Sequence, residues 1–420
     1  MELLPKGIWK TMFLVFASFG VALRLNAQDT LVVDSTVLSN RSGIERILQG
    51  NVAGLRIKNW TGTPGAQSII NLRGLSLDAT SKSTIPLILI NGVPMIASPS
   101  DLTGINPLAY FSPDQIDRIE VIKVIDRLAA YGVQAPNGAI NIIMKEGVSG
   151  PIHVSANAFV GANFLQGMDF RKDAFYNFNT QSRSAVYGDG GFVSEQNVAV
   201  DGSGDFGSYL FGLTNYKDQG YIKNSGFGRQ SLYLNAKYNI TPKFSAHFYN
   251  NFSLSRKDGR YAGEFNREIL LPVVSNEGFV MDKNRNVGLI SSMKLSYQFN
   301  PSWNISSVPS ISYDAASRDA YVPSDVLDGE IFALSHTGKR QLITINTTLN
   351  YLKSLSEDLK LDMTIGHELR SSDDRLTAID GSRGLESGGS DFVKVVTGYN
   401  ANQVNARSDH QQEKITSFYG

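Results

Sequence analysis

One pattern in this chain restricts the available folds more than any other: apolar and polar side chains alternate along stretches of barrel-spanning length. Residues 244–254 put Phe244, Ala246, Phe248, Asn250, Phe252 and Leu254 on one face of an extended chain, and Ser245, His247, Tyr249, Asn251 and Ser253 on the other. Residues 231–238 set Leu232, Leu234, Ala236 and Tyr238 against Ser231, Tyr233, Asn235 and Lys237. Residues 293–299 oppose Met293, Leu295, Tyr297 and Phe299 to Lys294, Ser296 and Gln298, and 342–351 and 359–367 behave alike. A strand that crosses a bilayer needs about 9–11 residues, apolar toward lipid and polar toward the lumen. Soluble sandwich strands also alternate, so the connections decide. They run short then long: 239–243 before 255–292, 300–302 before 314–341, and 352–358 before 368–391. Outer-membrane barrels have short periplasmic turns and long outer loops, and on that template there are roughly ten strands. The two-residue period then predicts Phe248, Phe252, Leu232 and Leu234 facing lipid, with His247, Tyr249 and Asn251 facing the lumen or its contents.

The N-terminus agrees with export. Lys6 and Lys10 precede an apolar run from Met12 to Leu23, and Leu25-Asn26-Ala27 offers a cleavage site, so residues 1–27 read as a secretory signal peptide. No later run is long enough for a transmembrane helix, which leaves an outer-membrane barrel or a soluble exported protein. Lys+Arg 39 balance Asp+Glu 39, which argues against nucleic acid as a partner. Cys is 0, so disulfides, thiol nucleophiles and thiolate metal sites are absent.

Residues 43–149 have another texture, with short strands between tight glycine turns. Residues 44–49 have helical spacing and precede 52–57; 69–72, 87–90 and 139–144 read as strands. Ser112-Pro113-Asp114-Gln115 looks like a helix start leading into 118–124. Helix and strand are mixed without regular alternation, which indicates α+β.

Here the chain resembles the SusC/RagA type of TonB-dependent outer-membrane transporter. The residues that carry the resemblance are Leu48-Gln49-Gly50-Asn51-Val52-Ala53-Gly54-Leu55, then Thr63-Pro64-Gly65-Ala66 with Leu72-Arg73-Gly74. Leu89-Ile90-Asn91-Gly92-Val93-Pro94 follows, with Asn91 where the family has Asp, and then Ile116-Asp117-Arg118-Ile119-Glu120-Val121-Ile122-Lys123. Ala130-Tyr131-Gly132 and Ala135-Pro136-Asn137-Gly138-Ala139-Ile140 complete the series. The resemblance implies an α+β plug domain, residues 43–149, followed by antiparallel transmembrane β-barrel strands over 150–420, in the outer membrane. It implies active import of glycan or peptide fragments, no enzymatic activity and no cofactor. The implied partners are TonB with its inner-membrane energising complex, a SusD-like surface lipoprotein and outer-membrane lipid. The motif residues Arg73, Gly74, Asn91, Gly92, Pro94, Glu120, Tyr131, Gly132, Asn137 and Gly138 are its plug signature, and the turn glycines read as builders of the fold rather than ligand contacts. In the segment 28–42, Asp29-Thr30-Leu31-Val32-Val33 resembles a TonB box, an arm that would add a strand to a partner's sheet edge. The chain departs from the family at Val124-Ile125-Asp126-Arg127-Leu128 and at Pro136, and only about fifteen residues lie between the leader and the plug, too few for an added domain.

Other motifs carry no chemistry. Gly202-Ser203-Gly204-Asp205-Phe206-Gly207 matches a dinucleotide fingerprint but precedes strand-forming Ser208-Tyr209-Leu210-Phe211, so it reads as a hairpin. Residues 282–293 begin like a calcium loop, yet Val287 and Met293 occupy the required Gly and Glu positions. His153, His247, His336, His367 and His410 lack ligand spacing. The rival reading is a secreted β-rich adhesin or glycan-binding module. Roughly ten strands cannot enclose a hundred-residue plug, so a fragment or truncated gene is expected.

Overall fold

The computed structural model describes residues 30–34, 43–59, 63–66, 68–72, 86–96, 107–123, 131, 135–148, 150–164, 190–221, 224–259, 281–322, 331–354, 360–384 and 404–419. The expected leader, Asp29, Arg73, Gly74 and Gly132 lie outside the described residues. Among those described, no helix is long and apolar enough to cross a membrane.

The plug is built from β1 (Thr30–Asp34), α1 (Ile44–Leu48), β2 (Leu55–Asn59), β3 (Ser68–Leu72), β4 (Leu87–Ile90), β5 (Val93–Pro94), β6 (Ile116–Ile122) and β7 (Ala139–Met144). Five strands form one sheet in the order β1-β6-β7-β4-β5, and β2 pairs with β3 separately. β7 lies between antiparallel β6 and parallel β4. Five of its six residues are buried, which is why Ala139-Ile140-Asn141-Ile142-Ile143-Met144 reads as an apolar run without alternation. Ile44, Ile47 and Leu48 share one face of α1 and pack into the same core as Ile88, Ile90, Ile119 and Ile142. Each such side chain contributes about 1.5–3 kcal/mol by leaving water.

Two details differ from the sequence expectation. The Ser112 hydroxyl does cap, accepting from the Asp114 N–H at 3.2 Å, but the turn at Pro113–Gln115 is a single 3-10 turn. β-branched Ile116, Ile119, Val121 and Ile122 then take the chain into β6, where they are buried. The plug sheet also begins before residue 43, because Thr30–Asp34 pairs antiparallel with β6, Leu31 opposite Val121. The segment expected to be a free arm is therefore an edge strand of the plug.

Ten antiparallel strands form the wall, β8 (His153–Asn163), β9 (Gly191–Gly204), β10 (Gly207–Gln219), β11 (Gly226–Thr241), β12 (Phe244–Gly259), β13 (Met281–Asn300), β14 (Trp303–Val322), β15 (Ile331–Ser354), β16 (Lys360–Gly384) and β17 (Val404–Tyr419). They follow chain order from β8 to β17, and the sheet is open, an incomplete barrel. The fingerprint-like glycines are the β9–β10 hairpin, with Gly204 opposite Gly207. The calcium-like stretch lies within β13. Short turns collect at one end and are built by side-chain acceptors. Thr241 Oγ1 accepts from the Lys243 and Phe244 N–H groups at 3.3 and 3.0 Å, and Asn300 Oδ1 from Ser302 and Trp303 at 2.9 and 3.1 Å. The strands from β13 to β16 run 20–25 residues, so much of 314–341 and 368–391, expected as loop, is strand. Their added polar residues extend the wall beyond what the membrane requires.

The parity prediction holds. Phe248 and Phe252 are each 38% exposed on the outer face, whereas Tyr249 and Asn251 are 2% exposed on the inner one. Leu232 is also exposed on the outer face, opposite Phe252. Outward Asn250 and Ser291 satisfy one another at 2.6 Å, which lowers the cost of placing them in the apolar band. At the turn end, Phe244, Tyr297, Phe299, Trp303 and Tyr351 make an aromatic girdle, with ring centroids of Trp303 and Tyr351 4.7 Å apart.

Candidate functional site: the plug and its seat in the wall

The plug signature is a knot of turns and polar ties around β7. Asn91 (φ 50°) and Gly92 (φ 81°) form the β4–β5 turn, both in the left-handed region. Such a turn matches the twist of its strands, and Asn-Gly is the pair that adopts it most readily. Asn91 Oδ1 accepts from the Met144 N–H at 2.9 Å, and the Gly92 N–H donates to Asn141 Oδ1 at 2.8 Å. Asn141 in turn donates to Glu120 Oε2 at 3.3 Å, and the Tyr131 hydroxyl donates to the Gly92 carbonyl at 3.1 Å. Burial, with the charge of nearby groups, pushes the Tyr131 hydroxyl up to about 12. Pro94 ends β5, and the next N–H, of Met95, donates back to the Ile88 carbonyl of β4 at 3.1 Å. Asn137 and Gly138 turn the chain into β7; Gly138 has φ 85° and its N–H donates to the Ala135 carbonyl at 3.1 Å. A Cβ on Gly138 would lie 2.6 Å from Leu72 Cδ2 and 3.0 Å from the Ile122 carbonyl oxygen. We expect Gly138→Val to destabilise the plug by more than about 2 kcal/mol, from strain and overpacking together. Thermal unfolding in detergent checks this, and an unchanged midpoint would refute it.

The expected motif residues that are described thus gather on the plug, but the contacts that seat the plug come from side chains the motifs did not single out. Arg229 of β11 and Glu195 of β9 are 4% and 1% exposed and form an ion pair at 2.8 Å. Arg229 Nη1 also donates to the carbonyls of Ala109 (3.0 Å) and Phe111 (2.6 Å), and Ser112 Oγ donates to Glu195 Oε1 at 2.7 Å. Gln115 reaches Thr214 at 3.3 Å and Ser231 at 3.4 Å. The plug segment 107–115 is therefore held by a buried wall pair that itself depends on the plug for its remaining hydrogen bonds. Farther round, the Tyr110 hydroxyl donates to Asp314 Oδ1 at 3.2 Å and accepts from Asn286, while Asp314 pairs with Arg340 at 2.7 Å. Burial first, then the Asp314 charge, pushes the Tyr110 hydroxyl well up. Asp282 and Arg318 form a third wall pair at 2.6 Å. Phe227, Tyr249 and Ile290 of the wall join the plug's apolar core, so the seat is greasy as well as polar.

Strand parity alone places the wall residues of the seat on the inner face, but not their partners on the plug. Asp282, Asn284, Asn286 and Ile290 alternate with outward Lys283, Arg285, Val287 and Leu289, and the inward set is buried. At the loop end of the wall lies a cavity of about 1570 Å³. Its lining includes Lys217, Arg256, Lys283, Arg285, Lys339 and Arg375, and the acids among its described lining residues are Asp218 and Asp258. Among the described residues no group of acids and histidines could hold a metal ion.

Residues 23–139 match the family model of the TonB-dependent Receptor Plug Domain. A relative from Formosa agariphila, TonB-dependent receptor P26, is 21% identical over 90% of this chain and 43% of its own length. TonB-dependent receptor SusC of Bacteroides thetaiotaomicron is 27% identical over 63% of this chain and 28% of its own. Residues 23–139 thus carry a TonB-dependent receptor plug domain, and the chain is similar to TonB-dependent receptors of the SusC/RagA type. Among solved structures, the RagAB peptide transporter superposes with a TM-score of 0.72 at 16% identity, over 94% of this chain and 53% of that one. The ferric citrate transporter FecA in its unliganded form gives 0.63 at 12% identity, over 94% and 53%. The chain spans about half the length of these proteins, or less. Similarity to these receptors places the chain among outer-membrane proteins. The family match begins before Asp29, in keeping with β1 as part of the plug sheet.

Proposed function

We propose that this receptor imports a bulky nutrient, a glycan or peptide fragment, across the outer membrane with energy delivered through TonB and its inner-membrane complex. The observation that carries the reading is the seat. A compact α+β plug is tied to the inner face of a lipid-facing wall by buried polar bonds, an arrangement that blocks a lumen yet can be released. A lumen that only needed filling would be cheaper to pack with apolar side chains. The likeness to RagAB, a peptide transporter, supports the peptide class, and the SusC resemblance supports a SusD-like surface lipoprotein as lid. Uptake of labelled oligopeptides and oligosaccharides by cells carrying the complete gene, with and without TonB, tests the proposal. Uptake that persists without TonB would overturn it. Binding at the cell surface with no uptake of any solute would favour the adhesin reading.

Residues 29–33 enter this proposal as the coupling segment, with β1 peeling from β6 to pair with TonB. A plain structural strand is the competing assignment. Leu31→Pro separates the two, because proline lacks the N–H and fixes φ. The coupling role predicts lost uptake with solute binding and plug unfolding unchanged. A plug that loosens, seen as new protease sensitivity, assigns the strand to architecture alone.

A further inference from the structure

The outer face of the wall differs at its two ends. On β13 the outward residues from the loop end are Lys283, Arg285, Val287, Leu289, Ser291, Met293, Leu295, Tyr297 and Phe299. From Val287 to Tyr297 a strand tilted by about 40° rises roughly 25 Å along the membrane normal, the height of an outer-membrane apolar band. The turn end closes that band with aromatic rings. The loop end closes it with cations. Arg256 stands just above Leu254 on β12, Lys217 above Leu213 on β10, and Lys339 above Ile343 on β15, and all three are exposed. On β16 Asp373 comes first and Arg375 follows.

Register sharpens the point. Arg256 is directly opposite Arg285, and Lys339 directly opposite Arg375. Like charges in cross-strand pairs repel and destabilise a sheet unless an anion lies between them. Arg256 and Arg375 each have an acid two residues away on their own strand, Asp258 and Asp373, both at 2.8 Å. Among the described residues, Lys217, Lys283, Arg285 and Lys339 have no ion pair. All six cations line the one cavity, so they converge on shared space. Their parity excludes the lumen: Arg285 alternates with buried Asn284 and Asn286, and Arg256 with buried Ser255.

We propose that Lys217, Arg256, Lys283, Arg285, Lys339 and Arg375 form a girdle that binds a phosphate-bearing lipid headgroup of the outer leaflet. The inference rests on the outer-membrane placement and is independent of which solute is imported. The headgroup's phosphates sit between the paired cations, and its acyl chains lie along Leu254, Val287 and Leu289 below. Guanidinium groups suit this role, since each can hold two phosphate oxygens at once.

The test uses the complete protein in detergent, titrated with phosphorylated lipid A, with dephosphorylated lipid A as the control. The quadruple variant Lys217→Gln, Lys283→Gln, Arg285→Gln, Lys339→Gln is compared with Lys353→Gln, a change near the turn end. We expect the quadruple variant to bind phosphorylated lipid A at least a hundredfold more weakly, about fivefold per charge removed, and to lose the lipid's stabilisation of the thermal midpoint. The control variant keeps both, and a heat-modifiable band shows that each variant is folded. Equal retention of phosphorylated lipid A by the quadruple variant would overturn the proposal. So would equal affinity for the dephosphorylated lipid, or loss of solute uptake in cells with lipid binding unchanged, which would assign the cations to the cargo.

Discussion

Arg229→Ala is expected to loosen the plug from its seat and to lower the stability of the assembled receptor by about 3–5 kcal/mol, the range for breaking one partner of a buried pair. The substitution leaves the Glu195 carboxylate, 1% exposed, with Ser112 Oγ but no cation. It also strips the donor from the carbonyls of Ala109 and Phe111. Arg229→Lys should recover part of the loss, because one ammonium keeps the charge but cannot span the carboxylate and both carbonyls in the fixed geometry of a guanidinium. Denaturation in detergent gives the energy, and protease sensitivity within residues 107–115 reports the loosening. If Arg229→Ala unfolds like the parent and its plug stays resistant, the clamp does not hold the plug.

The second large effect concerns the lipid face. Phe248→Arg places a charge at mid-bilayer on the outer face and should cost about 2–4 kcal/mol, enough to block assembly. Ser245→Arg, on the inner face near the turn end, should assemble normally. Strand parity by itself would also tolerate Asn251→Arg. The structure overturns that expectation, because Asn251 is 2% exposed behind the plug and the longer side chain has no room. The fraction of heat-modifiable barrel in outer membranes ranks the three. Equal assembly of all three would contradict the assigned faces.

What could be read from the sequence follows from which constraints are local. Side-chain parity in 231–238 and 244–254 is a property of extended chain, so the outward Leu232, Phe248 and Phe252 needed no tertiary knowledge. The Asn91-Gly92 turn was equally visible, since few residue pairs accept two left-handed positions. The long strands were not. Asp314, Arg318, Lys339 and Arg340 read as loop because charge there suggests solvent, and only the register of β14 with β15 shows half of them facing a neighbour's counter-charge. The pairing of Thr30–Asp34 was also invisible, because an exposed arm and an edge strand share one composition and differ only in whether β6 has a vacant edge. The clamp was missed for the same reason: Glu195, Arg229 and Ser112 are far apart in the chain, and nothing local ties them together.

The antiparallel pairing of β1 with β6 has a mechanical consequence. Thr30 lies opposite Ile122 and Asp34 opposite Arg118, so the direction from Asp34 back to Thr30 is the direction in which β6 runs. For as long as β1 stays on β6, before any peeling, a tug directed along the strand on the chain ahead of Thr30 therefore loads every rung of the β1–β6 ladder together, in shear, instead of opening them one after another. The load passes into β6 and draws it away from its own beginning. That beginning, Ile116, is bonded directly to Gln115, and Ser112 lies three residues further back, both fastened to the wall. Tension applied at the N-terminus thus arrives first at the rivets that hold the plug in place.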